Sequence, residues 1–173
     1  WAALKDMTAK DPAAIAMLAN LKKNGEFLLA KPEMSRVYIT EATPVNPGSQ
    51  TLFRIALLGA LNFLDGDPKW KARGVSEMAS VTEPGYGDWF PAEPTVTKDH
   101  LIAAALAYDW FKDAYNAGQL AKLKEFIHLK GVDPIVAHLK GEPVPATAKK
   151  VEPGTQPQKD KTPAKAPKKR EPD

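Results

Sequence analysis

The chain has 173 residues, no cysteine, a hydrophobic fraction of 43% and a formal net charge of +3. That length predicts one domain with an appendage, and the missing thiols exclude disulfides and thiolate metal sites. From Glu142 to Asp173 eight Lys/Arg stand against five Asp/Glu, whereas the first 141 residues carry sixteen of each sign. The basic excess therefore belongs to the C-terminal segment, and a nucleic-acid interface on the folded part is not expected.

In chain order, residues before Asp11 predict a short helix or turn. Asp11-Pro12 is a helix start, with Asp as N-cap and Pro at the first helical position. Ile15, Leu18, Leu21, Leu28 and Leu29 then mark one helix from Pro12 to about Lys31, stopped by Pro32. Val37 to Thr40 has β-type composition, but Pro44, Pro47 and Gly48 follow, so an extended connector is expected; a lone strand would have no partner.

Ser49 is the expected N-cap of a helix to about Leu64, with Gly66 as its stop. Leu52, Phe53, Ile55, Leu57, Leu58, Leu61, Phe63 and Leu64 surround this helix, so it is expected to be enclosed by others. Its apolar run Ile55–Leu61 is too short to cross a bilayer, and no membrane span is expected. Asp67-Pro68 opens the next helix, to about Val81, with Trp70, Val75 and Met78 as a buried stripe and Lys69, Lys71, Arg73 and Glu77 as the polar side.

Glu83 to Pro94 reads as a loop carrying Tyr86, Trp89 and Phe90. Thr97 is the expected N-cap of an apolar helix to about Ala114, and Asn116 caps the helix after it. Gly131 is the expected end of that helix, and Asp133-Pro134 starts a last short one. Beyond Glu142 seven of the sixteen prolines occur and no Phe, Trp, Tyr, Leu or Ile. A disordered Lys/Pro/Ala tail over 142–173 is expected, because such a segment buries too little apolar surface to offset its ordering entropy. The start at Trp1 implies either a removed leader or an excerpt of a longer chain, and the helical sequence directly after it favours the excerpt.

An enclosed helix followed by an amphipathic one occurs twice, with Leu52 and Leu101 in like places about 49 residues apart. That period points to an array of helical hairpins. The expected fold is all-α over 1–141: stacked hairpins with inner and outer helices, forming an incomplete α/α toroid.

Four segments carry a family resemblance. Ala105-Leu106-Ala107-Tyr108-Asp109-Trp110-Phe111-Lys112-Asp113 resembles the LAYDWLYD helix of heparinase II/III-like and alginate-lyase-like polysaccharide lyases. Leu120–Lys130 with Gly131-Val132-Asp133-Pro134 is similar to the next helix of that family and its KGLEP ending. Ile55–Leu64 with Asp65-Gly66-Asp67-Pro68-Lys69-Trp70 resembles its LALAYLLTGDEKY hairpin, and Trp89-Phe90-Pro91 is placed like its DWNP loop. The similarity covers about residues 11–139.

The resemblance implies an N-terminal α/α toroid and β-elimination on uronic-acid-containing polysaccharide. It implies an acidic polysaccharide as partner and a secreted or periplasmic location. No cofactor is expected, and no metal site either, because the three histidines have no i, i+4 partner of ligand type on a shared face. The elimination needs a base at C5, often Tyr or His, a group that neutralises the carboxylate, and an acid for the leaving oxygen. The family's catalytic Asn and His lie in helices beyond the KGLEP position, where this chain has its tail, so no catalytic residue is carried over. Thr97 and Asp99 match two positions of the family's DTAE groove segment; Val96 and Lys98 depart from it.

The substrate-binding candidates are Arg54, Trp89, Asp99, His100, Tyr108 and Trp110. Arg54 is either a groove residue for a uronate or a paired first-turn charge. His100 either contacts sugar or is a first-turn polar residue, and His128 and His138 read as solvated. Trp110 either stacks on a sugar ring or packs between helices, and Tyr108 would tie its helix to a neighbour. Tyr86, Trp89 and Phe90 form either an exposed aromatic platform or a plug over the core. Two further classes remain open: a non-catalytic carbohydrate-binding helical module, and an interaction scaffold that self-associates through an exposed helical end.

Overall fold

The computed structural model describes residues 1–34, 46–83, 86, 89 and 94–144, with the backbone alone at 94 and 95. The described residues are all-α: α1 (Ala2–Lys10), α2 (Pro12–Leu29), α3 (Pro47–Leu64), α4 (Pro68–Thr82), α5 (Pro94–Phe111), α6 (Ala117–Phe126) and α7 (Asp133–Lys140). The Val37–Thr40 connector, Asp88, Phe90 and the tail beyond Val144 lie outside the described residues.

Local chemistry sets several of these boundaries. Asp11 Oδ1 accepts from Ala14 N at 2.8 Å and Asp67 Oδ1 from Lys69 N at 3.0 Å. Each leaves a proline at N1, where its missing N–H costs nothing. Asn116 and Gln119 form a reciprocal capping box at the head of α6. Gly66, at φ +78, turns the chain out of α3 in a conformation that favours glycine.

Three expected boundaries are corrected. Asn46, not Ser49, caps α3, accepting from Gly48 N at 2.8 Å and Ser49 N at 3.2 Å, with Pro47 at N1. Helix α5 begins at Pro94, and Thr97 lies inside it, its hydroxyl donating to Trp89 O at 2.7 Å. Gly131 ends no helix: a π-helical segment, Ile127–Val132, carries α6 into α7, and Asp133 is itself helical. A Cβ on Gly131 would lie 2.6 Å from Leu101 Cδ1, so its hydrogen atom lets the segment press against α5.

The most extensive helix pairing is α3 with α5. Helix α4 packs on α3, α5 and α6, while α2 lies against α3 and α1 against α2 and α3. The core between them holds Ile55, Leu58, Leu61, Trp70, Met78, Val81, Trp89 and Phe111. Enclosure of α3 and α5 is not complete: Phe53 on α3 is 61% exposed, and Ile102 on α5 is exposed as well. Among the described residues no helix is long and apolar enough to cross a membrane.

Candidate functional site

Arg54 is committed to the fold. It sits within α3, past the first turn, and its Nη1 donates to Glu77 Oε1 at 2.9 Å and to Pro32 O at 3.0 Å. Glu77 on α4, expected on the polar side, has no exposed side-chain surface. Its carboxylate also takes Arg73 Nε at 2.9 Å and the Met34 backbone N–H at 2.9 Å. A buried carboxylate is tolerated where two guanidinium groups and an N–H satisfy its lone pairs. Arg73 reaches onward to Lys31 O at 2.7 Å, where cationic donors meet the negative end of α2. Nearby, the Ser76 hydroxyl donates to Glu33 at 2.7 Å and holds the Glu33 carboxyl below its usual pKa, with Arg73 adding to the effect.

Trp89 and His100 form a second knot. Their rings stack with centroids 5.4 Å apart and planes 13° from parallel. Trp89 Nε1 donates to Val81 O at 3.1 Å, so this part of the loop folds back as a plug over the core. His100 Nδ1 lies 2.9 Å from Val96 O. A carbonyl only accepts, so Nδ1 carries the proton and Nε2 accepts from the Tyr86 hydroxyl at 2.9 Å. His100 is thus a core residue, not a first-turn surface one. Burial pushes its pKa down to about 4, against a smaller opposing contribution from the Val96 bond.

Asp99 accepts from Ser49 Oγ at 2.6 Å and joins the heads of α3 and α5. Their approach is close at Gly48, where a Cβ would lie 2.4 Å from Val96 O. Trp110 packs over Gly59 of α3 and meets Phe63 edge-on at 5.8 Å; Trp1 stacks on Phe63 at 4.5 Å. Tyr108 is half-buried, with Lys124 Nζ 5.4 Å from its ring centroid. His128 and His138 are exposed. Among the described residues no three His, Cys, Asp or Glu side chains come together as metal ligands.

The structure pairs only Trp89 and His100 directly and places Arg54, Asp99, Tyr108 and Trp110 against other partners, so the six candidates do not line one cleft. No protein-family model matches the chain, and no curated protein matches it.

One concave surface does gather ligand-type groups. A groove of about 320 Å³ between α2 and α3 is lined by Asn24, Phe27, Lys31, Gln50, Phe53 and Arg54, with Leu28 and Leu57 beneath. Phe27 is 66% exposed and Phe53 61%. Lys31 Nζ stands 4.7 Å from the Phe27 ring centroid. Sequence reasoning reached only Arg54 of this set. The available signal was the pair of aromatics at Phe27 and Phe53, each directly before the Leu or Arg residues of a helix face.

Proposed function

We propose that the chain is a helical, polymer-holding part of a protein of the heparinase II/III-like lyase type. In this reading the α3–α4 and α5–α6 hairpins are neighbouring members of an α/α toroid. The chain binds acidic polysaccharide and does not by itself carry a complete β-elimination site. An exported location follows from the same reading.

The observation that carries the reading is the α2–α3 groove. Its two exposed phenyl rings offer flat apolar faces to the C–H faces of pyranose rings. Asn24 and Gln50 offer amides to hydroxyls, and Lys31 offers a cation to a carboxylate or sulfate. Arg54 lines the same groove, but its charge is balanced by Glu77, which makes Lys31 the principal cation there. Within this reading Tyr86 and His100, which are of the acid–base types that the reaction uses, are buried and bonded to each other, and this supports a structural rather than catalytic role for these two.

The test is titration of the full chain with alginate, heparan sulfate and hyaluronan, followed by calorimetry and by the ultraviolet absorbance of an unsaturated uronate product. Saturable binding to at least one polymer with no new absorbance is expected. Absence of binding to all three overturns the reading, and a rise in absorbance overturns its non-catalytic part.

A second reading is favoured by the last helix. Leu129, Val136 and Leu139 are exposed at the end of the hairpin array, where an array ordinarily continues or is capped. Self-association through this end predicts a concentration-dependent mass in light scattering, abolished by Val136→Lys with Leu139→Lys.

A further inference from the structure

We propose that the C-terminal segment 143–170 is a second contact for the acidic polysaccharide of the α2–α3 groove, and that it supplies most of the electrostatic part of that binding. The choice of partner rests on the polysaccharide reading of the groove. The contact itself rests on how charge is divided along the chain. The first 141 residues carry sixteen charges of each sign, whereas within 143–170 eight Lys/Arg stand against Glu152 and Asp160 alone. Two clusters, Lys149-Lys150 and Lys168-Lys169-Arg170, hold five of those eight cations.

The helices supply little of this charge. Lys31 is the principal cation of the groove, since Arg54 is balanced by Glu77. Nor do the helices absorb the cations of the segment: Asp65, Asp67, Glu77, Glu83 and Asp113 each already hold a lysine or arginine of the fold. Helix α7 ends in a left-handed Gly141, at φ +70, and Glu142 N donates to Ala137 O at 2.9 Å, so the helix stops short of the basic clusters. Full extension of 143–170 would span at most about 100 Å, more than a domain of this size is wide. One polymer strand can therefore meet groove and segment together, and the second contact then becomes intramolecular.

Composition selects among polyanions. From Glu142 onward there is no Phe, Trp, Tyr, Leu or Ile. Single-stranded nucleic acid is held largely by bases stacked on aromatic rings, and a bilayer surface by apolar side chains set among the acyl chains. A carboxylate or sulfate on a polysaccharide asks only for a cation. Each cation that engages a linear polyanion displaces condensed counterions, so the binding constant falls with salt in proportion to the number engaged.

The experiment uses the full chain with Lys149→Gln, Lys150→Gln, Lys168→Gln, Lys169→Gln and Arg170→Gln combined. Binding to heparan sulfate is measured by calorimetry over a range of sodium chloride concentrations. The slope of log affinity against log salt is expected to fall by about half, and affinity in dilute salt by about tenfold. The urea unfolding curve stays the same, because no core side chain is altered. An unchanged slope overturns the proposal. So does tighter binding of the unsubstituted chain to duplex DNA, or to phosphatidylserine vesicles, than to heparan sulfate at the same salt. Phe27→Ala with Phe53→Ala separates the two contacts: affinity is expected to fall at every salt concentration while the slope is kept. If that variant binds normally and the glutamine variant still loses its slope, the groove reading fails and the contact of the segment with the polymer stands.

Discussion

Arg54 on α3 and Glu77 on α4 meet at 2.9 Å, and the Glu77 side chain is wholly removed from solvent. The contact joins two helices and, through Met34 N and Pro32 O, the chain that leaves α2. Removing one partner of a buried pair leaves the other charge uncompensated, at a typical cost of about 3–5 kcal/mol. Glu77→Ala is therefore expected to lose stability of that order in urea unfolding, because two guanidinium groups and an N–H lose their acceptor. Ser76→Ala, which removes only the bond to half-exposed Glu33, is expected to cost about 1 kcal/mol. Equal effects from the two substitutions would refute the assignment of Glu77 as the centre of the knot.

His100 gives the fold a pH dependence with a definite sign. Its folded pKa, about 4, lies below the ordinary 6.5. Between those values the unfolded chain binds the proton and the folded chain does not, so stability rises with pH. The contribution is fully present above about pH 6.5 and is lost progressively as pH falls toward 4. Its size is on the order of 3 kcal/mol. Urea unfolding from pH 4 to pH 7 is expected to have a positive slope that His100→Gln reduces by up to one proton. An unchanged slope in that variant would assign the dependence to other groups.

The fold was legible where its signals were local. Asp11-Pro12 and Asp67-Pro68 each place an accepting oxygen and a donorless nitrogen at a helix head, and both helices start there. The same dipeptide at Asp133-Pro134 also marks where α7 begins, although the π-helical segment Ile127–Val132 runs into it without the break expected at Gly131. Asn46 and Ser49 are comparable caps three residues apart, and Pro47 at the first helical position decides between them. The candidate site was less legible. A carboxylate on an amphipathic helix reads as solvated unless its partners on other helices are known, and those of Glu77 lie on α3 and after α2 as well as on α4. Phe53 was hidden by its neighbours: an all-apolar helix gives no indication of which face stays in water.

Gly59 and Trp110 provide a packing test of the α3–α5 contact. A Cβ built on Gly59 falls 2.0 Å from Trp110 Cε3, far inside contact distance. Gly59→Ala adds a methyl group and a better helix former, so propensity alone predicts a gain of about 1 kcal/mol. The clash with the indole outweighs it, and a net loss of about 1–3 kcal/mol is expected from overpacking. Near-ultraviolet circular dichroism should change with it, as Trp110 leaves its edge-on arrangement with Phe63. A stabilised Gly59→Ala variant would mean that Trp110 has room to move away.

Phe27 and Phe53 separate binding from stability. Both side chains are largely exposed, so truncation removes little buried area, and Phe27→Ala and Phe53→Ala are each expected to change stability by less than about 1 kcal/mol. If the groove stacks pyranose rings, either substitution weakens polysaccharide binding about tenfold, since an aromatic contact is worth about 0.5–1.5 kcal/mol beyond its area. Lys31→Gln weakens binding less in concentrated salt than in dilute salt, because ions screen an exposed cation. Arg54→Gln behaves differently: it lowers stability through Glu77 whatever it does to binding. Wild-type affinity in a Phe27→Ala, Phe53→Ala double variant would exclude the groove, while a loss in the double variant that spares the unfolding curve would assign binding to these two rings.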